Sequence, residues 1–300
     1  MQYTGTGEYC AYGKGDAGRP MQKKIVVIND IAGYGRCAMT VLLPIISYLG
    51  VQACPLPTSI FSSNTAFPDF FLDDYTDRME AYLASWEKIG LKHAFDGIAT
   101  GYLGSVRQIE IVKRFIREFS GENTLVVVDP VMGDHGRLYS AYTVELCTEL
   151  RKLVALADIV TPNLTEACRL ADVPYREKGW KHKELFAMAQ RLAAMGPSRV
   201  VITGIPQGEY LANYVFVKVD QKEPATRLIR VHRAGEERCS TGDVFTAVIA
   251  ADAVNGVPFD RSVRKAAGFV KRCVEEALAL ETPPAEGVPF EQVLWRLKRG

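Results

Sequence analysis

The segment Cys239-Ser-Thr-Gly-Asp243 opens directly onto an apolar run, Val244 to Val254. A glycine-bearing turn at a helix start presents unpaired backbone N–H groups and the positive end of the helix dipole to an anion. An aspartate at that point has two readings. It caps the helix, as Ser, Thr and Asp often do. Alternatively it is a general base beside an anion hole that stabilises a transferring phosphoryl group. Spacing alone leaves both open. The chain has no G-x-x-x-x-G-K-[ST], and no G-x-G-x-x-G that follows a strand and opens a helix, so the P-loop and the dinucleotide fingerprint are excluded.

Asn163-Leu-Thr-Glu166, entered through Thr161-Pro162, also reads two ways. Asn with Glu three residues on resembles a capping box. The same pair suits Mg²⁺, which keeps much of its water shell and needs few carboxylates. Asp129-Pro-Val-Met-Gly-Asp134 supplies two further carboxylates. Asp129 ends an apolar run, where an unpaired charge is costly, so it is expected to face a cation or donors.

These groups need elements to position them. Ile25–Ile28, a run starting at Val51, Gly97–Thr100, Thr124–Val128, Ile159–Thr161 and Val200–Thr203 read as short apolar strands. Helical patterns near 42–49, 109–119, 141–155 and 183–195 separate them. Continuous apolar strands between helices predict a mostly parallel sheet covered on both faces, an α/β fold. Tyr210–Val219 and Thr226–His232 alternate as antiparallel strands do. Helices are predicted over Thr241–Asn255, Phe259–Leu280 and Phe290–Leu297. In an open parallel sheet, ligands bind outside the carboxyl ends of the strands. Asn29-Asp30, Gly101-Tyr102, Asp129, Pro162-Asn163 and Thr203-Gly204 all stand directly after apolar runs.

The chain of 300 residues carries 36 Lys+Arg and 35 Asp+Glu, a net charge of +1, with 48 % hydrophobic residues. That balance excludes a disordered chain and gives no basic excess for nucleic acid. No apolar run approaches the roughly 18 to 20 residues that span a bilayer. Seven scattered cysteines without C-x-x-C pairs argue against a metal site or disulfide framework, so a cytoplasmic location is expected. Residues 1–20, with five glycines and no apolar h-region, are expected to form a flexible extension, and Met21 is an alternative start. Residues 21–300 are read as a single domain. Trp86, Trp180 and Trp295 are expected to pack in the core. The cluster Arg261, Arg264, Lys265, Lys271 and Arg272 reads as the wet face of a helix. Cys239 is either a small packed residue or a thiol activated by the helix start.

Taken in order, Gly101-Tyr-Leu-Gly-Ser105, Asp129-Pro-Val-Met-Gly-Asp134, Thr161-Pro-Asn-Leu-Thr-Glu166 and Ser240-Thr-Gly-Asp243 resemble the ribokinase superfamily, and within it the pyridoxal (vitamin B6) kinases. Leu56-Pro-Thr-Ser-Ile-Phe-Ser-Ser-Asn-Thr65 resembles that family's substrate-side segment. The resemblance spans Lys23 to about Leu280. It implies a ribokinase-like fold and ATP-dependent phosphorylation of a B6 vitamer's hydroxymethyl group. Asp243 would be the general base, with the backbone of Ser240, Thr241 and Gly242 as anion hole. Asn163 and Glu166 would position Mg²⁺. Asp129 and Asp134 would lie near the ATP phosphates, with Asp129 and Glu166 as the metal carboxylates. Thr203 would contact the nucleotide, and Asp30, Thr65 and Tyr102 the pyridine ring. ATP and Mg²⁺ are the implied cofactors, with K⁺ an optional addition, and a homodimer is the implied assembly.

The match departs at two places. Pyridoxal kinases often carry serine where this chain has Asp30, and Asn64 replaces a histidine usual beside Thr65. Asp30 with Gly33 is closer to hydroxymethylpyrimidine kinases, whereas those enzymes typically have cysteine at the position of Asp243. A hydroxymethylpyrimidine kinase, a sugar kinase of the superfamily and a non-catalytic binder of the same fold are the alternative readings. A carboxylate facing the ring would favour an amine-bearing or protonated substrate.

Overall fold

In the computed structural model the described residues are 22–139, 142–236 and 238–299. The extension expected over residues 1–20 lies outside them. The first half runs β1 (Lys24–Tyr34), α1 (Met39–Tyr48), β2 (Gln52–Ser63), β3 (Leu72–Asp74), α2 (Thr76–Lys88), β4 (Phe95–Thr100), α3 (Val106–Phe119) and β5 (Ser120–Val128). A small hairpin follows, β6 (Gly133–Asp134) with β7 (Arg137–Leu138), then α4 (Val144–Val154), β8 (Ile159–Val160), α5 (Leu164–Ala171) and α6 (His182–Met195). The chain continues through β9 (Arg199–Gln207), β10 (Tyr210–Val217), β11 (Ala225–His232), α7 (Thr241–Val254) and α8 (Phe259–Ala279).

The strands form one nine-stranded sheet in the order β11-β10-β9-β8-β5-β4-β1-β2-β3. Pairing is parallel from β9 to β2 and antiparallel at both margins, where β10, β11 and β3 add on. The buried strands are apolar on both faces because helices cover both. One cluster, around Phe115, Ile98 and Leu192, lies under α2 to α6. The other, around Ile45, Val248 and Phe269, lies under α1, α7 and α8. The mostly parallel α/β sheet predicted from the apolar runs is therefore the one observed.

Some boundaries differ from the prediction. β1 runs to Tyr34, so Asn29 and Asp30 sit within the strand rather than after it. Parallel pairing to β2, resumed after an irregularity at Asn29/Ile31, extends it past the apolar run. The last segment forms 3₁₀ turns, Phe290–Gln292 and Leu294–Arg299, rather than one amphipathic α-helix. Trp86 stacks edge-on against Tyr82 and packs beside Phe95, and Trp180 is buried, but Trp295 is 43 % exposed. Lys265 leaves the solvated helix face to pair with buried Asp252 at 2.8 Å.

Candidate active site

A cleft of about 820 Å³ runs along the carboxyl ends of the parallel strands. Asp30, Thr65 and Tyr102 line it, as do Asp129, Asp134, Asn163, Glu166 and Thr203. Ser240, Thr241, Gly242 and Asp243 complete the set, so every candidate catalytic, substrate, nucleotide or metal residue named from the sequence lines one cleft.

No side chain caps the start of α7. Ser240 takes a left-handed conformation at the N-cap, with φ of 72°, and its hydroxyl donates to the Arg36 carbonyl instead of capping the helix. Asp243 does not cap either. Its Oδ2 accepts the backbone N–H of Ala38 at 2.9 Å, and Cys37 and Asn29 side chains also bond to it. Burial pushes Asp243 up to about 6 while those three bonds pull the other way. Gly242 faces open cleft, and a Cβ built on it would meet no atom within 4 Å. Its want of a side chain therefore leaves room for a ligand against the helix N-terminus.

Asn163 and Glu166 form the capping box: Glu166 N–H donates to Asn163 Oδ1 at 2.9 Å, and Asn163 N–H to Glu166 Oε2 at 2.8 Å. Beyond the cap, Glu166 Oε1 accepts the Met132 N–H at 3.1 Å and Asn163 Nδ2 donates to the Gly133 carbonyl at 2.8 Å. The box thus fastens the Asp129–Asp134 loop to α5 while keeping Glu166 in the cleft wall. Asp129 Oδ2 accepts the Thr246 hydroxyl at 2.9 Å, and Thr246 is in turn within 3.1 Å of the Thr161 hydroxyl. Burial raises both Asp129 and Glu166, Asp129 further through the Asp243 charge and Glu166 further through Asp129.

No arginine or lysine among the described residues offsets Asp129, Glu166 or Asp243. Nor does any trio of His, Cys, Asp or Glu there stand ready to hold a metal unaided. Buried carboxylates without a cationic partner, and too few to enclose an ion, suit a hydrated Mg²⁺ that completes its shell with water and phosphate oxygens.

On the other side of Asp243, burial and then the Asp243 charge lift Asp30 to about 7. Asn29 is the hub between them. Its Oδ1 accepts the N–H groups of Asp30 at 3.0 Å and Tyr102 at 2.8 Å. Gly101 must be glycine here, since a Cβ would collide with the Asn29 amide. Phe61 stands edge-on to Tyr102 with ring centroids 6.0 Å apart, giving this end aromatic walls. Thr65 is exposed at the rim, while Asn64 is buried and donates to the Ala285 carbonyl at 2.7 Å.

Cys37, Ala38, Thr246 and Tyr139 were given no site role by sequence reasoning, and Asn29 only a place after an apolar run. Thr246 had a readable signal, a hydroxyl three residues after Asp243 and so on the same face of an apolar helix. Tyr139 had none. It lines the cleft half-exposed; partial burial raises its phenol, then the charges of Glu166, Asp134, Asp129 and Asp243. Cys239 is not activated: burial, then Asp243, raises its thiol.

The fold and the cleft at its strand ends define a ribokinase-like α/β protein. A profile of the phosphomethylpyrimidine kinase family matches residues 45–285, and the chain belongs to that family. It is 29 % identical over 290 residues to the pyridoxine/pyridoxal/pyridoxamine kinase of Bordetella avium, covering 93 % of this chain and 95 % of that one. It is also similar to a Bacteroides thetaiotaomicron protein solved in a crystal form with pyridoxal (36 % identity, TM-score 0.86, 93 % and 96 % coverage). Pyridoxal kinase from Lactobacillus plantarum matches at 25 % identity, TM-score 0.81, over 92 % and 96 % of the two chains.

Proposed function

We propose that this chain phosphorylates the hydroxymethyl group of a B6 vitamer from ATP, as a pyridoxal kinase. The observation that carries this reading is Asp243, held out of helix capping by Ala38 and standing beside the open N-terminus of α7. A general base must meet the acceptor hydroxyl where the anion hole meets the transferring phosphoryl group, and phosphoryl transfer asks mainly for such positioning. Asp243 takes the proton from the acceptor hydroxyl. The backbone N–H groups of Ser240, Thr241 and Gly242 hold the phosphoryl oxygens. Asp30, Thr65 and Tyr102 bind the pyridine ring. Asn163 and Thr203 line the nucleotide side, with Asp134 near the phosphates.

Asp129 and Glu166 would hold Mg²⁺. The ion, when bound, neutralises phosphate charge as it develops. Support also comes from the Bordetella avium kinase, named for all three vitamers, and from the pyridoxal-containing Bacteroides structure. The protein works in the cytoplasm as a homodimer, residues 21–300 forming its one kinase domain.

A second reading has hydroxymethylpyrimidine as acceptor, in keeping with a family profile named for a methylpyrimidine phosphate. A kinase assay with ATP and Mg²⁺ against pyridoxal, pyridoxamine, pyridoxine and hydroxymethylpyrimidine tests the choice. Turnover of the vitamers well above the pyrimidine is expected, and turnover of the pyrimidine alone overturns the proposal.

A further inference from the structure

We propose that Asn213 reads the base of the nucleotide, pairing its amide with the 6-amino group and adjoining ring nitrogen of an adenine seated between β10, β11 and α8. This rests on the reading of the cleft as a nucleotide site.

Asn213 is 6 % exposed and lines the cleft, yet among the described residues its amide makes no hydrogen bond. It is also absent from the polar atoms sealed away from solvent without a partner, so the amide opens on the cleft. A buried amide left unpaired costs free energy that a ligand edge would recover. The buried polar groups Asn29 and Glu166, which line the same cleft, are both paired.

Register fixes where Asn213 points. In the antiparallel pair β10/β11, Leu211 stands opposite Val231 and Asn213 opposite Ile229. Directly opposed residues share a face. Ile229 and Val231 belong to the apolar cluster that includes Ala267, Val270 and Val274 of α8. Those three α8 residues, with Lys271, recur at helical spacing and line the cleft. The result is a slot whose α8 wall is apolar but for Lys271, with one amide in it, suited to a flat heteroaromatic ring.

The slot leads to the phosphate side. β9 bulges between its pairings with Ala212 and Tyr214, which puts Thr203 and Gly204 across from Asn213. Thr203, Gly204 and the start of α7 line the same cleft. A ligand filling it is apolar and planar at one end and anionic at the other, the shape of a nucleotide. An asparagine amide offers a donor and an acceptor side by side. Adenine offers the complement, the 6-amino donor beside a ring nitrogen acceptor, as in Asn–adenine pairing elsewhere.

The test uses the whole protein and nucleotide alone, by calorimetric titration with Mg²⁺. ADP is compared with purine riboside 5′-diphosphate, which lacks only the 6-amino group. In the wild type, ADP is expected to bind about tenfold tighter. In Asn213→Leu the two are expected to bind within about twofold. Asn213→Ala gives the same ratio if leucine disturbs folding. Equal binding of both ligands by the wild type, or a tenfold gap kept in the variants, overturns the assignment of Asn213. Because no vitamer is present, failure to phosphorylate a vitamer leaves this result standing. A protein that binds neither diphosphate overturns both readings.

Discussion

The backbone N–H of Ala38 donates to Oδ2 of Asp243 at 2.9 Å, so the starts of two helices, α1 and α7, meet on one carboxylate. Ala38 holds φ of 50° and ψ of −126°, a strained conformation for a residue with a Cβ. The loop that carries it is tied down on both sides. Arg36 N–H bonds the Glu286 carbonyl at 3.0 Å, its guanidinium bonds Glu291, and the Ser240 hydroxyl bonds the Arg36 carbonyl. The segment from Glu286 to Glu291 thereby helps hold the N–H that orients the base, and two helix dipoles favour its ionised form.

Gly242→Ala separates ligand room from protein packing. The new Cβ meets no protein atom, so thermal stability should match the wild type within measurement. Turnover should fall roughly tenfold or more, because the methyl group occupies the anion hole. A variant that loses stability in step with activity contradicts this account of the glycine.

Asp30 gives stability an inverse dependence on pH. Its folded pKa, about 7, stands above the unfolded value, so the folded state binds the extra proton between about pH 4 and 7. Its contribution is therefore fully present below the unfolded pKa and lost as pH rises through 7. Asp30→Asn, free of that loss, should melt several degrees above the wild type at pH 8 in metal-free buffer. The gap should close towards pH 5, and a gap that widens on acidification runs against the assignment.

Asp30 also bears on vitamer choice. A buried carboxylate facing the ring should make pyridoxamine or pyridoxine as good a substrate as pyridoxal, or better. Comparing kcat/KM for the three vitamers in wild type and Asp30→Ser measures this. Strong preference for pyridoxal, unchanged by the serine, refutes it.

The parallel sheet was legible because buried strands are continuous apolar runs, and the cleft because polar residues stand at their ends. What stayed hidden depends on contacts distant in sequence. Nothing local says that Asp243 bonds Ala38 rather than its own helix, or that the Thr246 hydroxyl reaches Asp129. The capping reading was right for Asn163–Glu166, where both partners lie within one turn, and wrong for Asp243, where the partner is on another helix. The C-terminal 3₁₀ turns kept an apolar pattern, with Phe290, Val293 and Leu297 buried, so the pattern marked burial without marking helix type.

Asp243 as the base that deprotonates a vitamer hydroxyl is best tested by Asp243→Asn, with ADP production measured against pyridoxal, pyridoxamine and pyridoxine. The wild type should turn over at least one vitamer, with kcat/KM falling as pH drops through about 6. The variant should lose about 10²- to 10⁴-fold in kcat while binding nucleotide and vitamer as before. Undiminished kcat in Asp243→Asn would contradict the account.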